Sequence, residues 1–143
     1  TKLPTGASIG EEALTPSRSY VALIEALLEN NVDIHALLPG TGDGVGKIAF
    51  DKRPFTYQIR NWPQVPELFR YYHEHLGVGT EDCLKAFNWG IGYYIFLPKS
   101  EVDRALTIGG KAGYDIMPLG FVEAGERKVV FESERIILSP PGE

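Results

Sequence analysis

Two stretches of this 143-residue chain carry residue types that could do chemistry: Pro39-Gly40-Thr41-Gly42-Asp43-Gly44-Val45-Gly46-Lys47 and Phe87-Asn88-Trp89-Gly90-Ile91-Gly92. A phosphate cradle needs bare backbone N–H groups, a turn that bends around the ligand and often a cation. The first stretch offers all of these, with Lys47 as the cation. It is not a Walker A loop, because Lys47 is followed by Ile48 rather than Ser or Thr, and Thr41 stands five before Gly46 where that loop has Gly. Gly44-Val45-Gly46-Lys47-Ile48-Ala49 matches a dinucleotide fingerprint only loosely and lacks the surrounding βαβ unit. The same glycines also suit a ligand-free turn that needs positive φ. In the second stretch a polar Asn and two glycines precede the most apolar run of the chain, Tyr93–Leu97. Such a turn can hold an amide and bare N–H groups in a fixed direction.

Other polar residues weigh less. His35 lies just upstream of the glycine loop and could transfer protons, although a hydrogen-bonded strand histidine explains it as well. His73-Glu74-His75 does not read as a metal site, since residues two apart on a helix do not share a face. Arg18 falls in an expected first helical turn, where a cation opposes the helix dipole unless it meets an anion. That anion could be Glu11, Glu12 or a phosphate. Arg53 and Arg60 could also reach a phosphate, with solvated surface as the alternative. Cys83 sits beside Asp82 and Glu81, which disfavour a thiolate. As the lone cysteine it forms no intramolecular disulfide, which fits a reducing, cytoplasmic setting.

The elements that position these residues follow from periodicity and punctuation. Thr1–Gly10 reads as a loop. A helix is expected to start at Thr15-Pro16, with Tyr20, Ile24, Leu27 and Leu28 at helical spacing up to Asn30-Asn31. Strands are expected at Val32–Leu38 and Phe55–Arg60, and helices at Glu67–Leu76 and from Thr80 to near Phe87. Ile91–Leu97 is the candidate central strand. A helix capped by Ser100 should stop at Gly109-Gly110 or Gly113. Three strands, Asp115–Glu123, Lys128–Glu132 and Arg135–Leu138, close the chain before a frayed Pro140-Pro141-Gly142 tail. The pattern predicts a single α+β domain over residues 1–143, a mixed and largely antiparallel sheet packed against helices. The net charge of −5 argues against nonspecific nucleic-acid or anionic-membrane binding. No apolar run approaches the ~20 residues of a membrane span.

Four ordered segments resemble one family. They are Leu14-Thr15-Pro16-Ser17-Arg18-Ser19-Tyr20-Val21, Val32-Asp33-Ile34-His35 with the glycine loop, Phe87–Gly92, and Tyr114-Asp115 through Leu119-Gly120. Together they are similar to the C-terminal domain of aminoimidazole ribonucleotide synthetase, also called phosphoribosylformylglycinamidine cyclo-ligase. That family shows a Leu-Thr-Pro-Thr-Arg-like start, a His followed by Thr-Gly-Gly-Gly, and a Phe-Asn-x-Gly-x-Gly turn before a strand. The resemblance implies ATP-dependent ring closure of formylglycinamidine ribonucleotide in purine biosynthesis. ATP and magnesium would be held mainly by an N-terminal domain with no counterpart in this sequence, and the full-length protein would be a homodimer. By position, His35 and Asn88 are the implied catalytic residues. Arg18, Thr41, Gly42, Gly44, Gly90 and Gly92 fall on substrate- or phosphate-binding positions, with Lys47 beside them. No metal ligand is expected in this chain.

Asp43 stands where the family pattern has Gly, and a carboxylate there repels a phosphate unless Lys47 or a metal offsets it. Two other readings therefore stay open. One is a relative acting on another substrate, in the superfamily of selenophosphate synthetase, thiamine-monophosphate kinase and a hydrogenase maturation factor. The other is a non-catalytic ligand-binding or interaction module.

Overall fold

The computed structural model describes residues 1–143. The architecture is α+β, and the chain forms two compact units. The first comprises Thr1–Ser17, Gly40–Gly92 and Leu119–Glu143, and the second Arg18–Pro39 and Tyr93–Pro118.

The first unit is built on a four-stranded sheet of β2 (Phe55–Ile59), β4 (Gly120–Ala124), β5 (Lys128–Phe131) and β6 (Ile136–Leu138), in the order β4-β2-β5-β6. β2 runs antiparallel to β4 and parallel to β5, and β5 runs antiparallel to β6. The sheet is thus mixed and largely antiparallel, as the sequence predicts. Register puts Tyr57 beside Val129 and Ile59 beside Phe131, and Val129 faces Leu138. All five are buried. A 3₁₀ turn, Val45–Ala49, packs on β5 and β2 with Val45, Ile48 and Ala49 buried. Two helices complete this unit's framework, α3 (Glu67–Leu76) and α4 (Thr80–Ala86). Both lie within a residue or so of where apolar spacing predicts them.

The N-terminus departs from expectation. Instead of a loop, α1 (Ile9–Ala13) forms, opened by a capping box in which the Ser8 hydroxyl accepts from Glu11 N–H and the Glu11 carboxylate accepts from Ser8 N–H. Ser-x-x-Glu is a readable signal for this. Thr15 is not a helix cap: its hydroxyl donates to Glu11 O, at the C-terminal end of α1. A residue before proline is pushed out of the α region, so Pro16 separates the two helices rather than starting one. The C-terminal tail is also better anchored than its composition suggests, because Pro140 is buried and Glu143 pairs with Arg127 at 2.6 Å.

The second unit holds α2 (Val21–Glu29), β1 (Ala36–Pro39), β3 (Tyr93–Phe96) and α5 (Val102–Lys111). Leu23, Leu27, Val32 and Ala105 form its buried centre, flanked by Ile24, Ile95, Leu97, Ile108 and Ile116. β3 is not a central strand. It pairs only with β1, antiparallel, in a two-stranded sheet. Its apolarity is accounted for by this core, to which Ile95 and Leu97 contribute, rather than by strands on both sides. α5 runs through Gly109-Gly110 and stops short of Gly113, the second of its two expected stops, which takes φ 84°. Gly109 is buried, and a Cβ on it would stand 2.5 Å from Ile116 Cδ1, so this glycine makes room for packing. No helix is long and apolar enough to cross a membrane.

Candidate functional site

The two glycine stretches come together in the first unit. Asn88 joins them. Its side-chain Nδ2 donates to Gly40 O at 3.1 Å, and its Oδ1 accepts from Gly90 N–H at 3.0 Å. Gly40 N–H donates in turn to Gly92 O at 2.8 Å. Gly40 offers the amide a carbonyl and Gly90 an N–H, so only one orientation of the Asn88 amide satisfies both. Backbone approach at this junction is close: a Cβ on Gly40 would lie 2.1 Å from Ile91 O. Only glycine fits there.

The glycines differ in what surrounds them. Gly44 is buried at φ 64°, and a Cβ would meet Leu84 O at 2.2 Å, so it seats the loop on α4. Gly90, at φ 104°, lies against Pro66. Gly42 is exposed with nothing within 4 Å of its would-be Cβ. Beside it, Asp43 is exposed and holds φ 71°, an uncommon conformation for a residue with a side chain. The Lys47 ammonium donates to Thr41 Oγ1 at 2.5 Å, closing the loop side chain to side chain.

Lys47 also differs from the other cations. Three lysines or arginines are partly buried, Lys47, Arg127 and Lys128. Arg127 has the Glu143 carboxylate at 2.6 Å and Lys128 has that of Glu126 at 3.0 Å. Lys47 alone of the three has no carboxylate partner.

The turn holding Asn88 rests on aromatic rings. Trp89 is buried at φ 54°, and its carbonyl accepts from Trp62 Nε1 at 2.9 Å. Phe69 on α3 stacks on both Phe87 and Trp89. Sequence reasoning missed the roles of Gly40 and Trp62. A glycine at the loop entrance and a tryptophan just before Pro63 carry no local signal of a partner that distant.

In the second unit, His35 lies one residue before β1, exposed, with Nε2 3.2 Å from Asp33 Oδ2 and its N–H donating to Phe96 O. Arg18 precedes α2 rather than sitting in its first turn. Its guanidinium donates to Gly113 O at 2.8 Å and covers the Tyr114 ring at 4.4 Å. Of the further arginines, Arg53 pairs with Asp51 and Arg60 with Glu132. The Asp51 carboxyl is held down at about 2, first by the Arg53 side-chain hydrogen bond. Burial, and then the Asp82 carboxylate, push the Cys83 thiol up. No group of three His, Cys, Asp or Glu residues is placed to hold a metal ion. His73 instead meets Val78 O through Nδ1, and His75 stacks on Tyr71.

No protein-family model matches the chain. Its sequence is 34% identical over 112 residues to a phosphoribosylformylglycinamidine cyclo-ligase of Methanothermobacter thermautotrophicus, covering 78% of this chain and 33% of the relative. Against the cyclo-ligase of Thermosynechococcus vestitus identity is 35% over 127 residues, 86% of this chain and 37% of the relative. Against that of Methanococcus vannielii it is 28% over 123 residues, 86% of this chain and 35% of the relative. The chain thus spans about a third of the length of the curated relatives it matches. By sequence it is a relative of the phosphoribosylformylglycinamidine cyclo-ligase family.

Proposed function

We propose that this chain is the C-terminal, substrate- and phosphate-holding domain of an ATP-dependent cyclo-ligase that closes the imidazole ring of a formylglycinamidine ribonucleotide. The observation that carries the reading is Lys47, a partly buried cation without a carboxylate partner, at the end of a glycine loop whose Thr41–Asp43 segment is exposed. An external phosphate would supply the missing anion. The ammonium, the Thr41 hydroxyl and the N–H groups around Gly42 are the groups that would hold it, by charge neutralisation and positioning.

ATP, when bound, would activate the formyl oxygen for displacement. This chain's part would be to hold the ribonucleotide phosphate. His35, whose Nε2 meets Asp33 Oδ2 at 3.2 Å, is the residue of the second unit that could transfer a proton. Magnesium, most ATP contacts and dimerisation would belong to the rest of a full-length cyclo-ligase.

Calorimetry with ribose 5-phosphate tests the loop. The chain should bind it, Lys47→Ala should weaken binding about tenfold, and Asp43→Gly should strengthen it. Absence of binding, or equal affinity in all three proteins, would remove the loop from the site. Supplied with ATP, magnesium and formylglycinamidine ribonucleotide, the isolated chain should give no ring closure, and turnover would overturn its assignment as part of a larger catalyst.

A further inference from the structure

We infer that Asn88 is a positioning residue, which fixes the entrance of the glycine loop before any ligand arrives, rather than a group that touches the reacting atoms. The inference rests on the loop's proposed role as a phosphate holder but concerns the ligand-free chain. Both functional ends of the Asn88 amide are already used, one on Gly40 O and one on Gly90 N–H. A third tie, Gly40 N–H to Gly92 O, runs alongside. Gly40 is therefore held through its N–H and its C=O, while Gly42, two residues on, stands in open space. The rigid point and the free point of the loop are adjacent, and Asn88 sets the first. Trp89, stacked on Phe69 and bonded through its carbonyl to Trp62, holds the Asn88 turn from behind. An amide so placed keeps the loop N–H groups aimed in one direction, which lowers the ordering cost of binding an anion.

The chemistry of the pair gives a distinctive test. Asn88→Asp keeps the shape but replaces the donor with a carboxylate oxygen facing Gly40 O. The bond breaks while that carboxylate is ionised and reforms when it is protonated, because the acid O–H can donate where the amide did. Asn88→Ala removes both bonds at every pH. Protection of the Gly40 and Gly90 amides against hydrogen exchange, corrected for the intrinsic pH dependence of exchange, is the primary readout. Order parameters of Thr41–Gly44 from ¹⁵N relaxation are the second.

Asn88→Ala should lower protection at Gly40 and Gly90 about tenfold, the worth of roughly one net hydrogen bond, and leave β2 and β5 amides unchanged. Asn88→Asp should at neutral pH lower protection at Gly40 while keeping it at Gly90, whose N–H the carboxylate still accepts, and should recover wild-type protection and loop order as pH falls below the aspartate pKa. Two results would overturn the inference: protection and order that do not change in Asn88→Ala, or loss in Asn88→Asp that acidification does not restore. Should the wild-type chain bind no ribose 5-phosphate, the phosphate reading fails while the exchange results still decide whether Asn88 orders the loop.

Discussion

Gly40 and Gly42 are two residues apart in the same loop and should respond in opposite ways to the same methyl group. In Gly40→Ala the new Cβ would lie 2.1 Å from Ile91 O, 3.0 Å from Ile91 C and 3.2 Å from Gly92 C. These are backbone atoms, so no flexible side chain can swing aside. Relief requires the two segments to separate by about 1 Å, enough to stretch Gly40 N–H···O Gly92 and Asn88 Nδ2–H···O Gly40 beyond hydrogen-bonding range. Losing two bonds at about 1 kcal/mol each, with about 1 kcal/mol or more of residual strain, gives a cost of about 3 kcal/mol. At roughly 3 °C per kcal/mol for a chain of this size, the melting midpoint should fall by about 10 °C. In Gly42→Ala nothing lies within 4 Å of the Cβ, and Gly42 is not among the glycines with positive φ. There the methyl acts mainly on the unfolded chain and should add up to about 1 kcal/mol of stability. Urea denaturation and scanning calorimetry of the two variants beside the parent decide the matter. A Gly40→Ala protein as stable as the parent, or a Gly42→Ala protein as damaged as Gly40→Ala, would refute the close backbone approach on which the site geometry depends.

Three further outcomes are expected. Tyr94→Phe should leave stability unchanged or raise it by about 1 kcal/mol, because the buried Tyr94 hydroxyl has no hydrogen-bond partner and desolvation pushes its pKa up; a loss above about 1 kcal/mol in urea denaturation would mean that the hydroxyl is bonded. Asp51, whose carboxyl is lowered from 3.8 to about 2, favours the folded state above its unfolded pKa, and that contribution is lost as pH falls through the folded value. Asp51→Asn should therefore flatten the stability–pH curve between those two values, and a curve that keeps its slope there would assign the acid limb to other carboxylates. Asp43→Gly should alter stability by no more than about 1 kcal/mol, since relief of the left-handed backbone is offset by added chain entropy; a larger loss in the same urea titration would show that the Asp43 side chain has a structural partner.

Local signals made some elements legible. α3 was readable to the residue because Leu68, Phe69, Tyr72 and Leu76 recur at helical spacing after two prolines and end at Gly77, which takes a left-handed φ of 67°. β2 and the last two strands were readable from short apolar runs between turns. The errors came from pairing and from proline. The apolar run at Tyr93–Leu97 looked central because sequence cannot tell a strand flanked by strands from one that contributes to a helix-backed core. Thr15-Pro16 looked like a helix start because proline favours a first turn, yet the residue before it must leave the helix, and here that second effect ends α1.

The glycines show the same limit within the site itself. Gly40, Gly42, Gly44 and Gly90 are one letter in the sequence and four situations in the fold. Gly40 admits a neighbouring backbone, Gly44 seats the loop on α4, Gly90 passes Pro66, and Gly42 faces open space. A motif match gives Gly42, Gly44 and Gly90 the same meaning, that of ligand contact, and passes over Gly40. Steric space divides them differently: three serve the fold, and Gly42 is the one whose surroundings leave room for a ligand. Asn88 belongs with the three, since each end of its amide is engaged by the backbone of Gly40 or Gly90. The groups left with unspent capacity are the exposed Thr41–Asp43 segment and the Lys47 ammonium, whose charge no carboxylate meets. A ligand-binding role for the loop therefore rests on Thr41, Gly42 and Lys47, and the glycines that carry most of the family resemblance are the scaffold that holds those three in place.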